Sequence, residues 1–194
     1  MSKLLVFASS NAHKSHEIKQ LLGKEWELKN LNDLHFHEEI VEDADTFEGN
    51  ALIKAETIFK RFGTNCFADD SGLVIPALHG APGVLSARYA GPEKDDQKNL
   101  LKVLRDMEQL EDRRAYFITC IALVMDGEVN YFEGKVEGHI RRDTIGTHGF
   151  GYDPIFEPEL CGKTFAEMDT EEKNRYSHRA RAMKAFLSYL NEVH

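Results

Sequence analysis

Cys66-Phe-Ala-Asp-Asp-Ser-Gly-Leu-Val-Ile75 reads as a buried strand with two adjacent carboxylates, Asp69 and Asp70, near its middle. Taking even one charge out of water costs several kcal/mol, and two neighbouring ones also repel. A divalent cation is the usual remedy, because hard oxygen ligands suit Mg²⁺. The competing reading is a polar turn, since Asp-Ser-Gly favours Asx hydrogen bonds. The apolar residues on both flanks favour a strand.

Working outward, Asp45-Thr-Phe-Glu48 has capping-box spacing for a helix. Phe47, Ala51, Ala55, Ile58 and Phe62 form its buried face, and Gly63 is its stop. Residues 30–44 are acidic and irregular, a loop. Leu4-Leu-Val-Phe-Ala8 reads as a buried strand ending at Ser9-Ser10-Asn11, each a fitting N-cap for a helix through Ile18, Leu21 and Leu22. Strand, polar turn and helix in that order aim backbone N–H groups at an anion. Lys14 lies in the first helical turn, where a cation opposes the dipole unless it serves a ligand.

Downstream, residues 77–91 are too rich in glycine and proline for regular structure and read as a shaped loop. A helix over 93–108 uses Leu100, Leu101, Leu104 and Met107. Ala115–Val124 is a long β-type run, and Asp126-Gly127 signals a hairpin into Glu128–Gly138. Gly146-Thr-His-Gly-Phe-Gly-Tyr-Asp-Pro154 is a second glycine-rich loop. Ser177 caps a last helix packing through Met183, Phe186, Leu187 and Leu190. The fold class is mixed α/β, with helices flanking a largely β centre.

The chain has 194 residues, enough for one domain or one domain in two lobes. Its formal charge of −9 argues against a duplex nucleic-acid partner, which needs a basic footprint. No run approaches the ~18 apolar residues of a membrane span. The start passes directly into a strand without the apolar region of a signal peptide. Cys66, Cys120 and Cys161 are odd in number and widely spaced, so they read as buried free thiols in a reducing compartment. Cytoplasm is the expected location.

Four segments stand apart: Ser9–Lys14, Asp69–Ser71, Phe150–Asp153 and Lys173–Arg179. Neither the P-loop nor the dinucleotide fingerprint is present, because the glycines at 146, 149 and 151 have the wrong spacing. Phe150 between two glycines permits close approach of a flat partner and suits stacking on a base, worth ~1–3 kcal/mol. Its alternative role is to anchor the loop in the core. Asp153 either accepts from a base or holds the loop through an Asx turn. Lys173, His178 and Arg179 lie around a turn before the last helix, where cations oppose the dipole unless a ligand supplies acceptors.

Together these segments resemble the inosine triphosphate pyrophosphatase, or Ham1-like, family. The matching residues are Ser9-x-Asn11-x-x-Lys14-x-x-Glu17, Thr46-Phe47-x-x-Asn50-Ala51 with Lys54-Ala55, and Ala68-Asp69-Asp70-Ser71-Gly72-Leu73. They continue through Gly80-x-Pro82-Gly83-Val84-x-Ser86-Ala87-Arg88-Tyr89, Gly149-Phe150-Gly151-Tyr152-Asp153-Pro154 and Ser177-His178-Arg179, in the family's order. The resemblance implies two α/β lobes around a long central mixed β-sheet, with an active-site cleft between them, in a homodimer. It implies Mg²⁺-dependent hydrolysis of ITP, dITP and XTP to the monophosphate and pyrophosphate.

Carried over by position, Ser9, Ser10, Asn11, Ala12, His13 and Lys14 hold the triphosphate. Asp70 is the catalytic acid–base and a metal ligand, joined by Glu42 from an acidic loop that also carries Glu38 and Glu39. Ser71 lies beside the nucleotide. Phe150 stacks on the purine, Gly151, Tyr152 and Asp153 line its pocket, and Lys173, His178 and Arg179 contact the base. Ser10 and His148 depart from the family pattern, standing where glycine is common. Two other readings are a pyrophosphatase for different modified nucleoside triphosphates and a non-catalytic nucleotide-binding module.

Overall fold

Six strands form one sheet in the order β2-β1-β3-β4-β5-β6: β1 (Lys3–Phe7), β2 (Trp26–Asn30), β3 (Cys66–Val74), β4 (Arg114–Met125), β5 (Glu128–Ile140) and β6 (Phe156–Pro158). This is seen in a computed structural model that describes residues 3–22 and 24–193, without the side chains of Ala12, His13, Glu17, Gln20 and Leu21. Strand β1 runs parallel to β2 and to β3, pairing Leu5 with Leu28 and Val6 with Cys66. Strand β6 runs antiparallel to β5, so the sheet is mixed. Asp126 and Gly127, with φ of 51° and 88°, make the tight β4–β5 turn. Five helices accompany the sheet among the described residues: α1 (Ala12–Leu21), α2 (Phe47–Phe62), α3 (Asp96–Asp106), α4 (Thr170–Tyr176) and α5 (His178–Glu192).

The chain divides into two compact units. The first comprises Met1–Asp70, Cys120–Glu133 and Ala182–His194. Its strands alternate strictly. Leu5, Phe7, Phe67, Ile121 and Leu123 pack with Ile18 of α1 and Met183, Phe186 and Leu190 of α5. Val6, Ala8, Cys66, Ala68, Ala122 and Val124 pack with Ala51, Ala55 and Ile58 of α2. A period of two along a strand sends successive side chains to opposite faces, so each face receives its own helices. Phe67 sits between two other rings of the first core, with ring centroids 5.0 Å from Phe7 and 4.7 Å from Phe186. Aromatic pairs of this kind contribute ~0.5–1.5 kcal/mol each beyond their area.

The second unit comprises Ser71–Thr119 and Gly134–Arg181. Leu100 and Val103 of α3, with Met107 just past its end, pack there with Leu73, Phe117, Val136, Tyr152, Phe156 and Phe165.

Several local readings shift. The α2 cap is Thr46, whose hydroxyl accepts from the Gly49 N–H, and not Asp45. Gly63 stops the helix at φ 62°, but Phe62 is exposed. Helix α3 starts later than expected because Asp95 caps it through the Lys98 N–H, and Leu101 faces solvent. The broken stretch 77–91 contains much of two 3-10 turns, Pro76–Leu78 and Gly83–Arg88. Cys66 and Cys120 are buried free thiols, pushed up to about 12 by burial, whereas Cys161 is only half-buried. No helix among the described residues is long and apolar enough to cross a membrane.

Candidate active site

Asp69 and Asp70 lie inside β3, so the polar-turn alternative fails. Strand alternation weakens the repulsion argument, because neighbouring side chains leave by opposite faces, and Asp69 is the smallest of the influences on Asp70. Asp69 shares the face of Phe67, toward α1. Its two oxygens accept from the Lys14 ammonium at 2.9 and 2.7 Å, and it is 6% exposed. Asp70 shares the face of Ala68, toward α2. It accepts from Asn50 Nδ2 at 3.2 Å and lies 3.8 Å from the Lys54 ammonium. Lys54 also pairs with Glu42, so one ammonium joins both carboxylates assigned to the metal.

Burial pushes the Asp70 carboxyl up to about 6, with Glu42 and Asp69 adding to the rise and Lys54 and Asn50 opposing it. A carboxyl near that value gives and takes a proton close to neutral pH, as an acid–base group must.

The predicted strand–turn–helix is present ahead of Lys14. The Asn11 side chain caps α1 by accepting the Lys14 N–H at 3.1 Å, and Ser9 Oγ accepts the Asn11 N–H at 3.2 Å. Ser10 is exposed, and its carbonyl accepts from Asn32 Nδ2 at 3.2 Å. The side chains of Ala12 and His13 lie outside the described residues. Asn50 and Lys54 belong to the matching motif, and the structure places both beside Asp70. Their signal is a polar pair four residues apart beside the Ala51/Ala55 stripe, on the helical face that meets the strand.

In the second unit, Ser71 Oγ lies 2.7 Å from Thr119 Oγ1. A separate group forms around the 146–154 loop. Phe150 is 58% exposed, which rules out its role as a core anchor. The Lys173 ammonium stands 4.9 Å from its ring centroid, and the Arg179 guanidinium carbon 5.9 Å. Both are within cation–π range. Lys173 lies inside α4, a helix the sequence reading passed over as a turn, capped by Asp169. Asp153 is buried and its Oδ2 accepts from the Phe150 N–H at 2.9 Å and the Lys173 ammonium at 2.6 Å. It therefore holds the loop by an Asx turn. Tyr152 is also buried, its hydroxyl donating to the Ser86 carbonyl at 2.7 Å. Gly151 donates its N–H to Asp96 at 3.0 Å. His178 opens α5 as a buried ring stacked on Phe117, centroids 4.7 Å apart. His148 is exposed, and its backbone N–H meets the Ala166 carbonyl.

Chemically, the first group offers an acid–base carboxyl, hard oxygen ligands and ammonium donors. The second offers an exposed aromatic ring attended by two cations. The dITP/XTP pyrophosphatase of Christiangramia forsetii is 47% identical over 188 residues, 97% of this chain and 99% of that protein. The solved Ham1 protein of Staphylococcus aureus superposes with a TM-score of 0.94 at 37% identity, covering 99% of this chain and 100% of that one. The solved nucleoside-triphosphatase/dITP/XTP pyrophosphatase of Mycobacterium abscessus gives 0.82 at 43% identity, covering 95% and 98%. With the Ham1 family model matching residues 5–189, and the acid pair and aromatic loop both inside that span, the chain belongs to the Ham1 family.

Proposed function

We propose that this protein is a nucleoside triphosphate pyrophosphatase acting on deaminated purine nucleotides, dITP, ITP and XTP. The relatives that carry the dITP/XTP pyrophosphatase name match over nearly the whole chain, which supports that reaction class. The observation that carries the substrate choice is the exposed Phe150 ring with Lys173 and Arg179 beside it. Acids and cations serve any hydrolase of polyphosphate, whereas an exposed ring attended by two cations suits the inspection of a base.

The group around Asp70 is assigned to the phosphates and the chemistry, with Ser9, Ser10, Asn11, Lys14 and Ser71 as further contacts. Ala12 and His13 belong to the same assignment by position. Asp70 takes a proton from water as the water oxygen bonds to the α-phosphorus. The bond from that phosphorus to the bridging oxygen then breaks, and pyrophosphate leaves with the electron pair. Catalysis of such a transfer is mostly positioning and charge stabilisation.

Asp70 and Glu42 suit a divalent cation, Mg²⁺ in this proposal, because both are hard oxygen donors and already converge on one cation, the Lys54 ammonium. Bound there, the ion supplies charge neutralisation at the phosphate oxygens.

Phe150 is assigned to stack on the purine. Arg179 and Lys173 have donors and no acceptors, so they favour a 6-oxo group and leave the 6-amino group of adenine unpaired. Asp153, Gly151, Tyr152 and the buried His178 set the shape around them. The test is release of pyrophosphate from dITP, XTP, ATP and GTP with and without Mg²⁺. Metal-dependent pyrophosphate from dITP and XTP, well above the standard purines, is expected. Orthophosphate as the product, or equal turnover of all four, overturns the proposal. Tight nucleotide binding without turnover favours a non-catalytic module.

A further inference from the structure

We propose that Asp96 is a positioning residue for the aromatic loop, fixing the direction in which Phe150 presents its ring. The inference rests on the proposed stacking role of Phe150. Gly149 and Gly151 flank Phe150 with φ of 74° and 61°, so the backbone is left-handed on both sides of one aromatic residue. Glycine adopts such values without penalty but leaves the peptides free to turn elsewhere. Something outside the loop's own backbone must select one arrangement.

Two carboxylates make that selection. Asp153 accepts the Phe150 N–H at 2.9 Å from within the loop. Asp96 accepts the next donor, the Gly151 N–H, at 3.0 Å from the first turn of α3. Successive peptide planes on either side of the Phe150 side chain are thereby pinned to different supports. Asp153 is buried and also carries Lys173, so its loss disturbs several contacts at once. Asp96 differs. It is exposed, and the capping of α3 belongs to its neighbour Asp95. Its carboxylate is therefore available for the loop. It also lies near Tyr152, whose phenol is raised chiefly by burial and in part by the charges of Tyr89 and Asp96. Tyr152 in turn ties the far side of the loop to Ser86.

The reaction itself gives Asp96 no role, so its effect should reach substrate through Phe150 alone. A mutant cycle tests this. Asp96→Ala, Phe150→Ala and the double variant are compared in KM and kcat for dITP, with melting temperature recorded for each. Loss of one solvent-exposed hydrogen bond predicts a KM rise of about 3- to 10-fold in Asp96→Ala, with kcat within about twofold. Asp96→Asn keeps an acceptor oxygen and should recover most of the loss. In the Phe150→Ala background, Asp96→Ala should change nothing further, because the ring it aims is gone.

An unchanged KM in Asp96→Ala overturns the proposal while leaving the stacking role intact. A KM effect of full size in the Phe150→Ala background also overturns it, since a general loosening of α3 does not depend on the ring. If Phe150→Ala alone leaves KM unchanged, the stacking role fails and this proposal falls with it. Asp96→Asn serves as the folded comparison should Asp96→Ala lose its melting transition.

Discussion

Lys14 and Asp69 stand 55 positions apart in the chain and form a two-pronged ion pair, with the ammonium 2.9 and 2.7 Å from the two carboxylate oxygens. A lysine in the first turn of α1 opposes the helix dipole. Its partner on β3 explains why it is there. Asp69 needs a cation because strand alternation turns it into the side of the sheet that holds Phe67 and Phe186.

The first expected outcome follows from that pairing. Asp69 is buried and Lys14 half-buried, so removing either charge strips the other of this partner at a cost of ~1.5–3 kcal/mol, whereas removing both is milder. Lys14→Met should be strongly destabilised in urea unfolding, and Lys14→Met with Asp69→Leu should recover most of the loss. Equal destabilisation of single and double variants would show that the pair does not matter to the fold.

Asp70 supplies the second. Its carboxyl stands at about 6 in the folded protein against an ordinary 3.8, so folding favours the protonated form. The sign follows directly: the stability it lends is full below about 4 and is lost as pH rises through 6. A shift near two units corresponds to ~3 kcal/mol lost across that window, measured without divalent metal. Asp70→Asn should flatten the pH dependence of unfolding between pH 4 and 7 and be the more stable protein at neutral pH. The same variant should turn over ~100-fold more slowly or worse. Near-normal turnover removes Asp70 from the mechanism.

How much of this was legible depended on whether a residue's environment is local. The strands were readable because their apolar runs are continuous, and the alternation of β3 follows from period two alone. Asp70 and Phe150 stood out because each breaks its surroundings, a charge in an apolar run and an aromatic between glycines. The partners of Asp70 did not. Asn50 and Lys54 lie 20 and 16 positions earlier, and only the register of α2 against β3 brings them there. Helix α4 was missed because Thr170–Tyr176 buries no residue and so carries no apolar stripe. The α2 cap falls one residue later than the capping-box spacing predicts, because Asp45 and Thr46 are both good caps and only the Gly49 N–H chooses between them.

The two loop glycines give a third expectation, and they should not behave alike. A Cβ at Gly149 would come 2.0 Å from Asp153 Oδ2, at φ 74°. A Cβ at Gly151 meets nothing within 4 Å, so only its φ of 61° counts against it. Left-handed backbone costs a side-chain-bearing residue ~1–2 kcal/mol. Gly151→Ala should lose about that much stability by urea titration. Gly149→Ala should lose clearly more and weaken nucleotide binding as well, because Asp153 must give up the Phe150 N–H or Lys173. Matching losses at the two positions would mean that the Asp153 contact is not what closes the loop.

Base selection separates the ring from the cations beside it. Stacking is indifferent to which purine is present, since every base has a π face worth ~1–3 kcal/mol. Phe150→Ala should therefore lower kcat/KM for dITP and dATP by similar factors. Arg179 differs because its guanidinium only donates, and a 6-oxo purine accepts where adenine donates. Losing a hydrogen bond to a charged donor costs ~1.5–3 kcal/mol, so Arg179→Ala should shrink the dITP-over-dATP preference about 10- to 150-fold. The loss should fall on dITP, with dATP little changed. Parallel measurement of both kcat/KM values in both variants decides the matter: if Phe150→Ala alters the preference and Arg179→Ala does not, discrimination lies in the ring's packing and not in the charge beside it.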